Sequence, residues 1–241
     1  MYWAIASGIE GNLAAYEAVL ADLKKQDVDE FFIIGDVVGP VAESEALVDR
    51  IRNTKPNEHI SAICQGWWEE QCLILHSLGR TGHPDQLIDR YGNKMVKTLW
   101  DSVSRGTVAW IQELDFGIVE LDCLLIHGSS MGADDELTPD TSPIDLLDRL
   151  SRGDVNTMFC GRSGLAFEAV IESGSLINTV QTLDRSSEPE IVTIKSKKVV
   201  GVGNVGRVPG TATYTLYAPG SGQVKFRSVN YGSYKGFGRS R

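Results

Sequence analysis

Gly201-Val202-Gly203-Asn204-Val205-Gly206 has the G-x-G-x-x-G spacing that cradles a dinucleotide when it joins a strand to a helix. The residues that follow, Arg207 to Leu216, contain Pro209 and Gly210 and then a strand pattern, so the dinucleotide reading fails on context. Asp134-Asp135-Glu136 offers adjacent carboxylates, but consecutive acids point in different directions and mark a solvated loop. His59, His76 and His83 have no paired spacing, with one another or with cysteine, that would make a zinc site. Cys64, Cys72, Cys123 and Cys160 form no C-x-x-C pair and are expected to be buried reduced thiols. What remains is a few single residues just past apolar runs. Asp36, after Gly35, reads as a turn carboxylate that accepts backbone or arginine hydrogen bonds. His127 reads as a strand-end imidazole tied to neighbouring loops. The Arg162 guanidinium could fork onto a carboxylate or hold a phosphate. Trp67 and Trp68 read as packing surface ahead of nucleobase stacking.

The elements that must carry these residues alternate. Tyr2 to Ser7 reads as a short buried strand, and Asn12 caps a helix with Leu13, Tyr16, Leu20 and Leu23 at helical spacing. Phe31 to Ile34 is a second strand ending at Gly35-Asp36, followed by a helix from Glu43 to Arg52. Ile60 to Cys64 is a third, ending near Gly66. Such alternation predicts a parallel sheet with crossover helices. Helices are expected over Glu69 to Leu78 and around Met95 to Leu114, with loop from Gly79 to Gly92 between them. Strands at Ile118 to Leu121 and Leu124 to His127, a helix after Asp140 and a strand at Thr157 to Cys160 come next. From Phe167 to Val229 short alternating runs, among them Glu190 to Ile194, Lys198 to Val202, Thr213 to Leu216 and Val224 to Val229, predict a second sheet made mostly of hairpins. Residues 1–230 are read as a single domain, and Tyr231 to Arg241, rich in Gly with Lys235, Arg239 and Arg241, as a flexible tail.

With 241 residues, 42% apolar and 23% charged, the composition is that of a folded globular protein with a sizeable core. A net charge of −9 opposes the electrostatic attraction that duplex nucleic acid requires. No apolar window is long enough for a membrane span, and Met1 to Ser7 leads into a strand rather than a secretory signal, so a cytoplasmic location is expected.

In chain order, Gly11-Asn12 opening a helix, Gly35-Asp36-Val37-Val38-Gly39, Gly66, His127-Gly128, Gly161 and Gly203-Asn204-Val205-Gly206 resemble the ordered motifs of calcineurin-like metallophosphoesterases. The similarity runs from Met1 to about Val229 and lies nearest the small bacterial phosphodiesterase branch of that family. It implies a four-layer αββα sandwich of two mixed β-sheets. Loops at strand ends would there hold two divalent cations, which polarise a phosphate and activate a bridging water for in-line attack.

The resemblance also marks which ligands are missing. Where the family reads Asp-x-His-Gly-Asn, this chain has Gly8 for the Asp and Glu10 for the His, ahead of Gly11-Asn12. Asp36 keeps the bridging carboxylate. Gly-Asn-His-Asp becomes Gly66-Trp67-Trp68-Glu69, with Trp67 at the amide ligand and Trp68 at the His that assists the leaving group. An indole nitrogen is a donor only and cannot ligate a cation. His127 persists, whereas Gly-His-x-His becomes Gly161-Arg162-Ser163-Gly164, with both imidazoles gone. Carboxylates buried without cations are costly, so Arg162 is expected to act as an internal cation beside Asp36 and Glu10, with the two Trp side chains filling the cleft. The implied function is that of a pseudoenzyme with a degenerate metal site and no cofactor, which binds a small phosphate-bearing ligand or a protein partner. The alternative is a remodelled phosphoesterase with one manganese or other divalent ion on Asp36, His127 and Glu10. The resemblance further implies self-association as a homodimer.

Overall fold

The computed structural model describes residues 1–79, 83–172, 174–178, 190–194 and 196–232, of which 174–178 and 190–194 are described by their backbone alone. The first half lays down β1 (Trp3–Ala6), α1 (Leu13–Leu23), β2 (Glu30–Ile34), α2 (Ser44–Arg52), β3 (Ala62–Cys64) and α3 (Trp67–Leu75). β1, β2 and β3 pair in parallel, as the alternation requires. Three helices follow, α4 (Asp85–Tyr91), α5 (Asn93–Asp101) and α6 (Arg105–Gln112). The second half contains β4 (Gly117–Glu120), β5 (Cys123–Ile126), α7 (Pro143–Arg152), β6 (Thr157–Cys160), β7 (Ala166–Ile171), β8 (Gly174–Asn178), β9 (Glu190–Ile194), β10 (Lys197–Val202), β11 (Thr211–Ala218) and β12 (Gln223–Asn230).

Two mixed five-stranded sheets result, ordered β12-β11-β1-β2-β3 and β4-β5-β6-β10-β7, beside the separate ribbon β8-β9. Strand side chains alternate between faces, and the apolar runs show why both faces had to be apolar. Trp3, Ile5, Phe32 and Ile34 meet Leu125, Phe159, Val200 and Val202 between the sheets. Ala4, Ala6, Phe31 and Ile33 point the other way, into a core shared with Tyr16, Val19, Leu47, Trp68 and Leu99 from the helices. Leu124, Ile126 and Met158 on the far face of the second sheet pack against Leu146 and Leu150 of α7. This is the αββα order.

Two expectations need correction. The segment Gly79 to Gly92, read as loop, contains α4, which Leu87 anchors in the core and whose Tyr91 packs on Trp67 and Trp68. The stretch Met95 to Leu114 is helical as expected, in two helices divided at Ser104, whose hydroxyl caps α6 by accepting from the Thr107 N–H. Apart from the β8-β9 ribbon, the late strands do not form a sheet of their own. The β11-β12 hairpin extends the first sheet through β1, while β7 and β10 extend the second through β6. Alternation identifies a strand but not its partner, and the crossover strands left open edges that the later strands fill. Tyr231, placed in the tail by the sequence, is 9% exposed, accepts from Asn12 Nδ2 and donates to Val208 O. The remainder of the expected tail, 233–241, lies outside the described residues. All four cysteines are buried and free, and among the described residues no helix is long and apolar enough to cross a membrane.

Candidate functional site: an arginine between two carboxylates

The loops after β1, β2, β3, β5 and β6 and the turn 203–207 before β11 meet at one end of the sandwich. The first two are stitched backbone to backbone, Glu10 N–H to Asp36 O at 2.9 Å and Gly11 N–H to Val37 O at 2.8 Å. The turn joins them through Val205 N–H to Ser7 O at 3.0 Å and Gly206 N–H to Gly8 O at 2.8 Å. Glu10 and Asp36 both have φ of +52°, a left-handed conformation that costs a non-glycine residue about 1–2 kcal/mol. That backbone aims both carboxylates into the same space.

A guanidinium occupies it, and it belongs to Arg207. Its Nε donates to Glu10 Oε1 at 2.7 Å, its Nη2 to Asp36 Oδ2 at 2.7 Å and its Nη1 to the Arg162 carbonyl at 2.8 Å. The side chain is 8% exposed. Asn204 aims it, accepting the Arg207 N–H on Oδ1 and donating from Nδ2 to Gly164 O. Glycines make the room. A Cβ on Gly8 would stand 3.0 Å from Arg207 Nε, and one on Gly164 would stand 2.7 Å from Nη1. Both are positions where the resemblance expects a metal-binding side chain.

Asp36 is wholly buried. Its Oδ1 accepts the Trp68 N–H at 2.8 Å, and its Oδ2 also faces His127 Nε2 at 3.1 Å. Burial raises its pKa, but His127, Arg207 and Arg162 together outweigh burial and hold the carboxyl well below the usual range. His127 Nδ1 faces Ile34 O at 3.0 Å and Ser7 Oγ at 3.2 Å. Ser7, His127 and Asp36 are the residue types of a hydrolytic triad, but Ser7 is fully buried and its hydroxyl donates to Ile34 O at 2.7 Å, so it cannot serve as a nucleophile there. Glu69 accepts the N–H groups of Asp36, Val38 and Gly66 at 2.7 to 2.8 Å, locking the second loop to the third. Burial, then the Asp36 charge, push its carboxyl up to about 8 against those three donors.

Arg162, the expected internal cation, is fully buried and lies over the Trp67 ring at 4.5 Å. Its charge helps to hold Asp36 ionised; the guanidinium that bridges Asp36 and Glu10 is that of Arg207, a residue the sequence did not single out. Trp67 and Trp68 are 1% and 0% exposed, with ring centroids 4.7 Å apart. Trp67 Nε1 donates to Gln86 Oε1 of α4 at 3.1 Å, which draws that helix over the cleft. Asn12 faces away from the charges. It caps α1 through the Ala15 N–H and donates to Gly206 O and Tyr231 Oη. Elsewhere His59 is exposed near Glu30, His76 stacks on Trp100 and His83 is exposed, while Asp134, Asp135 and Glu136 each have a partner, Gln86, Arg149 and Arg90.

No family model matches the sequence, and no curated protein does. Solved structures do. A metallophosphoesterase from Sphaerobacter thermophilus superposes with a TM-score of 0.65 at 20% identity, covering 96% of this chain and 89% of that one. A hypothetical protein from Pyrococcus horikoshii superposes with a TM-score of 0.70 at 18% identity, covering 96% and 88%. The chain has the calcineurin-like metallophosphoesterase fold. The two-metal centre which that fold family carries does not fit the residues found here. Gly8 and Gly164 have no donor atom, Trp67 offers only an N–H, and Arg162 is itself a cation. Among the described residues no group of three or more His, Cys, Asp or Glu is arranged to hold a metal ion.

Proposed function

We propose that this protein is a binding protein on a metallophosphoesterase scaffold, in which the Arg207 guanidinium takes over the charge that metal ions supply in hydrolases of this fold. The observation that carries the reading is the bridge from Arg207 to both Glu10 and Asp36, each at 2.7 Å. A guanidinium there pairs with both carboxylates, with Arg162 as a second positive charge acting on Asp36, and it activates no water. A protein partner is favoured over a phosphate-bearing ligand, because Arg162 is fully buried, the Arg207 side chain is only 8% exposed, and three Arg207 nitrogens already have protein acceptors. The test is hydrolysis of bis(p-nitrophenyl) phosphate in the presence of manganese. The expected rate is background; turnover at ordinary enzyme rates that disappears in Asp36→Asn would contradict the proposal.

A second reading, a phosphoesterase with one divalent ion on Glu10, Asp36 and His127, needs these groups to close on an ion, an arrangement they do not have with Arg207 between Glu10 and Asp36. It requires Arg207 to leave the carboxylates. Saturable manganese binding by the unmodified protein, measured by calorimetry, would support it.

A further inference from the structure

Between α3 and the start of α4, outside the arginine bridge, lies a cavity of about 210 Å³. Glu70 and Gln71 line it from α3, His83, Asp85 and Gln86 from the α4 side, and Asp134 from the loop after β5. Three carboxylates on one small cavity oppose any phosphate. Acidic side chains alone describe any solvated rim, but Gln71 does not belong to a rim. It is 1% exposed, and its Oε1 is buried with no hydrogen-bond partner among the described residues. A buried carbonyl oxygen left in this way is rare and calls for a donor. Gln86 and Asp134 also line a neighbouring recess of about 380 Å³ over Trp67, which adds Asp89 and Arg90, the latter paired with Glu136.

We propose that this cavity binds an organic cation bearing N–H donors, an ammonium or guanidinium group, with Gln71 Oε1 as the buried acceptor and Asp85 and Asp134 as the charged ones. A metal ion is the poorer match, because the carboxylates are not gathered as a ligand set. A guanidinium spreads its donors over a planar fork, and a polyamine carries ammonium groups several ångströms apart, so either suits acceptors that are further apart. The shared recess gives an elongated cation room to continue toward Asp89. The chemistry has two sources, a free polyamine or the arginine side chain of a partner protein. The inference does not depend on what the arginine-bridged cleft does.

The test is calorimetric titration of the full chain with agmatine, with spermidine and with a tri-arginine peptide, with inorganic phosphate as the control of opposite charge. Saturable one-to-one binding of at least one cation is expected, weakened about tenfold by Asp134→Asn, by Asp85→Asn and by Gln71→Leu. Tighter binding of the peptide than of agmatine or spermidine would assign the site to a partner's arginine, and the reverse order to a free amine. If Gln71→Leu lowers the melting temperature, the two Asp variants, both at exposed positions, still decide the matter. No cation binding at millimolar concentration, binding that survives all three substitutions, or binding of phosphate instead would overturn the proposal.

Discussion

At the scale of single residues, Arg207 explains several substitutions together. A guanidinium between Glu10 and Asp36 needs space, and the two glycines whose absent side chains would strike it, Gly8 and Gly164, supply that space. Arg207→Ala leaves two buried carboxylates without their cation and is expected to cost about 3–5 kcal/mol in urea denaturation. Manganese is expected to raise the melting temperature of that variant and leave the unmodified protein's unchanged. Coupling should also be visible. Gly8→Asp is expected to destabilise the protein in the presence of Arg207 and to be tolerated better in Arg207→Ala, a non-additivity that a double-mutant cycle measures. Asp36 sets an acid limit. Its folded pKa lies below the ordinary aspartate value of about 3.9, so the stability it contributes is present above that value and is lost as pH falls below it. Asp36→Asn should therefore be much less stable than the parent at pH 7, with the gap closing toward pH 2. The sequence made the need for a cation legible, through lost ligands around a retained Asp36, but it pointed to Arg162. The signal for Arg207 was a basic residue directly after Gly203-Asn204-Val205-Gly206 together with glycine at both Gly8 and Gly164. That a second arginine enters the cleft depends on the path of a turn that meets the first loop only in three dimensions.

At the scale of elements, α3 places its tryptophans beside the arginine-bridged loops and α4 packs on them. Trp67, Trp68 and Tyr91 form one aromatic cluster, with Arg162 against the Trp67 ring. Trp67→Ala is expected to cost about 3–5 kcal/mol, the usual range for truncating a buried aromatic side chain. In hydrogen exchange it should also free the α4 amides more than those of α7, which packs on the other sheet. Most strands and helices were legible because their apolar periodicity is strong, as in Phe31 to Ile34 or Leu13 to Leu23. α4 was not, because only Leu87 of its seven residues is buried and its sequence, DQLIDRY, carries little apolar pattern. Tertiary contacts with the tryptophans hold it. The partners of β7, β10, β11 and β12 were illegible for another reason, since period-two alternation gives a strand's faces and says nothing of which edge it joins.

At the scale of the whole molecule, the αββα sandwich brings distant residues together at its strand-end loops, where Gly8, Trp67, Arg162 and Arg207 meet Asp36 and Glu10. Fold and activity are separable in this way because the sheets and helices depend on apolar packing, and a handful of loop side chains decide what the cleft does. The net charge of −9 fits a surface that repels phosphate-rich polymers. The most direct test of the central claim is metal content. The purified full chain would be incubated with manganese, freed of loosely held ions and measured by mass spectrometry, beside Arg207→Ala. The expected result is a parent protein with far less than one equivalent of metal and a variant that retains more. A full equivalent in the parent, lost in Asp36→Ala, would contradict the assignment of Arg207 as the cation that replaces the metals.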